Sequence, residues 1–358
     1  MSNTYVAIMA GGIGSRFWPK SRVSKPKQFI DILGTGKTLI QATYARFLQI
    51  CPKEQIYIVT NEDYRDLVHE QLPDLDDTQI LGEPSRRNTA PCVAYVSNII
   101  IAKNPDARII VAPADHLITE EGEFFKVINE ALDHVGKEDD LVTLGIRPTR
   151  PDTGYGYIQY LDNSEDKIYK VKTFTEKPNL ELAKTFMRSG DFLWNSGIFI
   201  WRGQTILEAF KTHLPEIGEA FRDVRAKAGT DKEAEAISKA YSIVTNISID
   251  YGIMEKAENV KVIPASFGWS DLGTWGSLYE MYGRDYLGNA VNGGQVMVND
   301  ATNCMIMAPD DKLVIVQGLD DFIVIDSEDV LLICQKEKEQ EIKTITTEVR
   351  RKKGDTYL

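Results

Sequence analysis

The chain has 358 residues, 43% of them hydrophobic, and carries a formal net charge of -12. That is enough apolar material for one large buried core and a smaller one, and the acidic balance argues against nucleic acid as a partner. Four scattered cysteines without a Cys-x-x-Cys pair and only four histidines make reduced, buried thiols the expectation and a zinc site an unexpected one.

The first stretch sets the theme. An apolar strand is predicted over Tyr5 to Met9, and Ala10, Gly11, Gly12 and Gly14 follow at once. Glycine lets the backbone bend and bring its N–H groups close to an anion. Arg16, Lys20, Arg22, Lys25 and Lys27 then arrive with no acidic residue before Asp31, a local reversal of sign that points to a polyanionic ligand. The loop is not a dinucleotide fingerprint, because Phe17 stands where the third glycine belongs. Nor is Gly36-Lys37-Thr38 a phosphate loop, since Asp31 occupies the position of the required first glycine. A tight turn with a solvated basic face is the bland alternative.

Further strands are predicted over Gln55 to Thr60, Gln79 to Leu81, Arg108 to Val111 and Leu141 to Gly145. Helices are predicted over Thr38 to Ile50, Asp63 to Gln71, Thr89 to Ala102 and Glu120 to Val135. This alternation implies an α/β fold with a doubly wound, mostly parallel sheet, whose sites lie beyond the carboxyl ends of the strands. After the third strand come Glu83, Arg87, Asn88 and Thr89. Asn88 or Thr89 can cap the next helix; alternatively Glu83 and Asn88 supply mixed acceptors and donors to a ligand. Arg87 serves phosphates or fixes the loop. After the fourth strand, Asp115 either caps the following segment or holds Mg²⁺ against nucleotide phosphates, and His116 reads as structural.

The middle of the chain has longer strands with conspicuous turns. Gly156 offers a backbone N–H or simply a β-turn. Glu176 and Lys177 end another strand, and they can share a ligand only where Pro178 and the strand end break the pleat. Asn195 and Ser196 interrupt the apolar run Trp194 to Trp201, so they must find partners or bind something. The charged helical stretch from Thr205 to about Tyr241 receives no catalytic role, and Asp250 and Glu255 are read as structural, Asp250 as a helix cap. Asp271 either caps a helix from Gly273 onward or joins Asp115, 156 positions away, around one cation. Beyond Asp285, short apolar runs recur every eight to ten residues, which predicts a small β domain and a final helix from Glu337 to Arg351. The expected boundaries are 1–284 for a catalytic domain and 285–358 for the β domain.

Gly11-Gly12-x-Gly14-x-Arg16, then Phe17-Trp18-Pro19 and Pro26-Lys27-Gln28, resembles the signature loop of sugar-nucleotide pyrophosphorylases, in the form typical of mannose-1-phosphate guanylyltransferases. The similarity runs on through Pro113-Ala114-Asp115-His116, Trp194-Asn195-Ser196-Gly197 and Trp269-Ser270-Asp271-Leu272-Gly273. It implies a Rossmann-like mixed sheet with a C-terminal left-handed β-helix and transfer of GMP from GTP to mannose-1-phosphate, giving GDP-mannose and pyrophosphate. By the same resemblance Ala10, Gly11, Gly12, Gly14, Ser15, Arg16, Glu83, Arg87, Asn88 and Thr89 bind the nucleotide. Gly156, Glu176, Lys177 and Asn195 bind the sugar phosphate, Asp115 and Asp271 bind Mg²⁺, and Arg16, Lys27 and Lys177 assist the transfer. No membrane partner, a cytoplasmic location, a homodimer through the β domain and no following cupin-like isomerase domain are expected. A transferase for another sugar or base, and a non-catalytic nucleotide-sugar-binding homologue, stay open.

Overall fold

The structure, a computed structural model, describes residues 3–162 and 167–358. The chain divides into two compact units, one of Met1–Gly11, Ile40–Ala114 and Ile118–Trp269, the other of Gly12–Leu39, Asp115–Leu117 and Ser270–Leu358.

The first unit is built on a nine-stranded sheet. In spatial order its strands are Ile80–Glu83, Ile56–Asn61, Thr4–Met9, Arg108–Pro113, Phe192–Arg202, Leu141–Ile146, Val260–Ala265, Tyr169–Glu176 and Gly156–Leu161. The first four pair in parallel, as the alternation of strand and helix requires. Phe192–Arg202 then enters antiparallel between Arg108–Pro113 and Leu141–Ile146, so the sheet is mixed. Strands such as Ile56–Asn61 are buried along their whole length, the mark of a sheet covered on both faces. Helix Thr89–Lys103 is apolar nearly all round and lies inside the core, where Val93, Val96 and Ile100 join Tyr57, Val59, Ile109 and Val111 from the strands. The charged stretch after Thr205 forms three helices, Gly203–His213, Pro215–Lys227 and Glu233–Ile243, and their buried faces bring Phe210, Phe221 and Tyr241 into the same cluster. Each such side chain contributes about 1.5–3 kcal/mol on leaving water.

The second unit joins the signature loop to the C-terminal β coil. Strands Ala290–Asn292, Met305–Met307 and Phe322–Ser327 stack in parallel, and Val330–Gln335 closes that sheet antiparallel. A second parallel pair is formed by Gln295–Asn299 and Leu313–Gln317. Met305 pairs with Ile323 and Gln295 with Leu313, an advance of 18 residues in each case, which is the repeat of a coil whose turns lie one above another. The final helix, Ile342–Lys353, starts later than the charge pattern suggests because Lys336–Glu341 winds as a 3-10 turn. The unit has its own core. Phe17, Trp18 and Ile32 of the signature loop pack with Leu272, Trp275, Met305, Ile323 and Ile342, and Phe17 and Trp275 lie 4.9 Å apart, centroid to centroid. The aromatic residues that look like part of a ligand loop in the sequence are thus its anchor.

Candidate functional site

In the second unit the signature loop is organised around Lys27. Gly14 adopts a left-handed φ of 67°, and a Cβ there would stand 2.4 Å from the Lys27 Cβ, so glycine is needed for both conformation and space. Ser21 Oγ donates to the Gly14 carbonyl at 2.7 Å and Gln28 Nε2 to the Gly12 carbonyl at 2.9 Å, which ties the two ends of the loop together. Lys27 is 3% exposed. Its ammonium donates to Asp115 Oδ2 at 2.9 Å, to the Asp271 carbonyl at 2.7 Å and to the Leu272 carbonyl at 2.8 Å. All three ammonium donors are therefore occupied.

Asp115 and Asp271, so distant in sequence, converge on this one cationic group. Burial alone would raise the Asp115 carboxyl, but the Lys27 ammonium and His116 outweigh it and hold the group below its ordinary value. Asp271 is not the helix cap. Thr274 caps Trp275–Tyr279 in a reciprocal box with Ser277, while Asp271 Oδ1 accepts from the Gly273 N–H at 2.8 Å. Leu272, at φ 44°, turns the chain so that the Asp271 and Leu272 carbonyls both face Lys27. Arg16 stands apart from this cluster, its Nε donating to Gln340 Oε1 at 3.0 Å on the surface, and Ser15 opens the 3-10 turn Ser15–Phe17.

Among the described residues, no group of three or more His, Cys, Asp or Glu side chains is placed to hold a metal. Magnesium, however, is usually held by one or two carboxylates with substrate oxygens completing its shell. Of the two carboxylates expected at such a site, Asp115 lies on the Lys27 ammonium, whereas Asp271 meets that ammonium through its backbone carbonyl and turns its carboxylate to the Gly273 N–H.

In the first unit, Ala10 is fixed by its N–H to the Val59 carbonyl at 2.7 Å and by Thr60 Oγ1 on its own carbonyl at 3.0 Å. A Cβ on Gly11 would approach Glu83 Oε2 to 3.3 Å, so glycine leaves this carboxylate room. Glu83 ends the Ile80–Glu83 strand at 7% exposure. Tyr241 Oη donates to its Oε1 at 2.8 Å. Burial pushes the Glu83 carboxyl up to about 7, against the opposing pull of Tyr241 and Arg86. Arg87 Nε donates to the Tyr241 carbonyl at 3.2 Å, the contact of a loop-fixing residue. Asn88, at a left-handed φ of 68°, caps helix Thr89–Lys103 through Oδ1 and the Thr89 N–H. Thr89 Oγ1 in turn accepts from the Ile249 N–H at 2.8 Å.

A second cluster in this unit gathers Gly156, Glu176, Lys177 and Asn195. Gly156 and Glu176 are cross-strand partners, and a Cβ on Gly156 would meet Glu176 Oε2 at 2.4 Å. Lys177 takes a left-handed φ of 48°, which breaks the pleat as the strand-end argument requires and lets its ammonium pair with Glu176 Oε1. The polar interruption of the apolar run is an irregularity in strand pairing. Thr143 faces Phe199 but Gly145 faces Asn195, and Gly197 adopts φ 70°. Both polar residues find partners: Ser196 Oγ accepts from the Ile198 N–H, and Asn195 Oδ1 from the Gly197 N–H at 3.0 Å.

Two residues of these clusters carry no clear signal in the sequence. Tyr241 lies in a helix that reads as solvated, where a hydroxyl on a face shared with Ala236 and Ala240 is the one available hint. Asp250 reads as a cap, but Ser248 Oγ takes that role by accepting from the Tyr251 N–H at 3.2 Å. Asp250 instead opens the π-helical turn Asp250–Met254 and accepts from Asn195 Nδ2 at 2.8 Å. No local pattern reveals that contact.

A mixed α/β sheet whose first four strands run parallel, with polar groups at their ends, followed by a parallel β coil, defines an α/β protein of the nucleotide-handling kind. The model of the nucleotidyl transferase family matches residues 5–285, and that of the MannoseP isomerase/GMP-like beta-helix domain matches residues 294–349. The chain belongs to the nucleotidyl transferase family. A mannose-1-phosphate guanylyltransferase of Salmonella montevideo is 38% identical over 352 residues, 96% of this chain and 73% of that one. The alginate biosynthesis protein AlgA of Pseudomonas fluorescens is 37% identical over 95% of this chain and 70% of its own. Among solved structures, one described as mannose-1-phosphate geranyltransferase from Thermus thermophilus superposes with a TM-score of 0.88 at 33% identity, covering 98% of this chain and all of the other. Enzymes of the nucleotidyl transferase family generally use a divalent metal. Among the described residues no helix is long and apolar enough to cross a membrane.

Proposed function

We propose that this protein transfers GMP from GTP to mannose-1-phosphate, releasing pyrophosphate and GDP-mannose. The observation that carries the reading is continuous similarity, 38% over 352 residues, to a mannose-1-phosphate guanylyltransferase. The Lys27, Asp115 and Asp271 constellation supports the same chemistry from the residues upward. In this reaction a sugar-phosphate oxygen attacks the α-phosphorus in line and pyrophosphate departs, so the protein's work is placement and neutralisation of charge. No protein nucleophile is needed.

The signature loop from Ala10 through Gly11, Gly12, Gly14 and Ser15 to Arg16 receives the triphosphate. Lys27, whose donors are all engaged, takes up a phosphate oxygen by exchange for one of its present acceptors. Glu83 accepts from the guanine N1–H and N2–H, with Arg87, Asn88 and Thr89 holding the loop beside it. Gly156, Glu176 and Asn195 take the sugar hydroxyls and Lys177 the sugar phosphate. Asp115 and Asp271 would hold Mg²⁺, which when bound would neutralise charge on the phosphates. Catalysis is assigned to 1–284 and support to a β domain on 285–358, although Lys27, Asp115 and Asp271 lie in the same compact unit as the β coil; the enzyme is proposed to be cytoplasmic, without nucleic-acid or membrane partners.

A pyrophosphate-release panel tests the reading. GTP with mannose-1-phosphate is expected to be the fastest pair among GTP and dTTP combined with mannose-, glucose- and fucose-1-phosphate. Faster release from another pair reassigns the substrates, and no release from any pair overturns catalysis in favour of a binding homologue.

The homodimer through the β coil rests on exposed apolar side chains. Val296, Val298, Val314 and Val316 face inward, whereas Met297, Leu313 and Ile315 face out from the two-stranded sheet, with Met297 directly opposite Ile315. A patch of this kind is a candidate association surface. Light scattering is expected to give twice the chain mass, falling to one for Ile315→Lys; a wild-type monomer at micromolar concentration would end this part of the proposal.

A further inference from the structure

Asn195 has an amide whose two ends are chemically different and sterically alike, so its usefulness to a ligand depends on which way it faces. Its surroundings decide that. The Gly197 N–H, a donor, lies 3.0 Å from Oδ1, and the Thr143 hydroxyl, which itself donates to the Ile198 carbonyl, lies 3.4 Å from the same oxygen. On the other side Asp250 Oδ1 lies 2.8 Å from Nδ2. An ionised carboxylate only accepts, so it fixes the NH₂ end, and the Gly197 N–H fixes the oxygen end. One amide N–H is then left over with a defined direction. Asp250 comes from a different element, the π-helical turn Asp250–Met254, and such turns are often found at functional positions.

We infer that Asp250 is a positioning residue of the sugar subsite, holding the Asn195 amide so that its remaining N–H is presented to a sugar hydroxyl. This rests on the sugar-phosphate reading of the Gly156, Glu176, Lys177 and Asn195 cluster. The role is indirect, like the outer groups that orient a metal ligand: Asp250 acts through Asn195 and sets its tautomer-like choice of face. The charged neighbours are consistent with a group held under tension. Burial first, and the Glu176 carboxylate second, push Asp250 up to about 6, while Asn195 and the Lys177 ammonium pull it back; Glu255, just beyond the same turn, also faces Glu176. Protonation of Asp250 would remove its charge and turn one carboxyl oxygen into a donor, weakening its hold on the amide.

Asp250→Leu, which has the same shape but no acceptor, and Asp250→Glu separate positioning from folding. In Asp250→Leu, KM for mannose-1-phosphate is expected to rise about tenfold or more and KM for GTP to stay within about twofold, and the variant is expected to stay folded because a buried charge is exchanged for an apolar group of similar volume. Asp250→Glu, which keeps an acceptor, is expected to recover part of the loss. Equal rises in both KM values, or no rise for the sugar phosphate, overturn the proposal. A second measurement does not depend on turnover. In ¹⁵N spectra the Asn195 side-chain amide, identified by its loss in Asn195→Asp, is expected to shift with a midpoint near pH 6 in the wild type and to be pH-independent in Asp250→Asn. If the wild type releases no pyrophosphate from any pair, the functional reading fails while this titration still decides the positioning claim: a flat wild-type amide sinks it.

Discussion

Lys27→Met is expected to reduce kcat/KM for GMP transfer by about a thousandfold, in the range measured when a preorganised charge-stabilising donor is removed from an active site. Methionine keeps the length of the stem and its packing beside Gly14, so the loss reports the ammonium. Stability should fall too, because Asp115 is left without its cationic partner. Breaking a buried pair costs about 3–5 kcal/mol, and since the Asp115 side chain is 31% exposed the loss should be smaller, roughly 2 kcal/mol. Lys27→Met combined with Asp115→Asn supplies the control. Removing the stranded carboxylate should restore most of the stability and none of the activity, because the proposed mechanism assigns Lys27 to phosphate and Asp115 to metal. Denaturant titration and pyrophosphate release measure the two quantities separately. A single variant that keeps more than a tenth of wild-type turnover would take Lys27 out of the phosphate site.

Glu83→Gln carries the second large effect, and its two readouts run in opposite directions with pH. The Glu83 carboxyl lies at about 7 in the folded protein against an ordinary 4.5. The folded state therefore holds this proton more tightly than the unfolded state. The associated stability is fully present below about pH 4.5 and is lost as pH rises through about 7. Glutamine cannot ionise, so at pH 8 the variant should be more stable than the wild type by on the order of 3 kcal/mol, with the gap closing towards pH 5. Recognition of the base has the opposite sign. Acceptance from guanine N1–H and N2–H is strongest from a carboxylate, so wild-type kcat/KM for GTP should climb between pH 6 and 8. Glu83→Gln should lie about a hundredfold lower with no such climb. A stability gap that stays flat from pH 5 to 8 would sink the ionisation argument, and an unchanged KM for GTP would sink the role in base binding.

Tyr241 shows why these predictions needed the fold. The hydroxyl that holds Glu83 comes from a residue 158 positions away, on a helix whose sequence reads as a solvated face. The same distance problem applies to Lys27 and the Asp271 carbonyl, 244 positions apart, and to Asn195 and Asp250, 55 apart. Periodicity reports which face of an element is buried, and says nothing of what it is buried against.

What the sequence determined alone was local. Short apolar runs alternating with amphipathic stretches placed the strands at Ile56–Asn61, Arg108–Pro113 and Leu141–Ile146 to within a residue or two, and hence the α/β class. Glycines at 11 and 14 beside a run of cations pointed to a polyanionic ligand, which is the role proposed for the loop. Tertiary structure alone decided that the loop's aromatic residues anchor it in a core, that Asp271 turns a carbonyl rather than a helix cap toward Lys27, and that Asp250 accepts from the Asn195 amide. Each of these depends on where two distant backbones come to rest, which is fixed by packing over the whole chain and leaves no local signature.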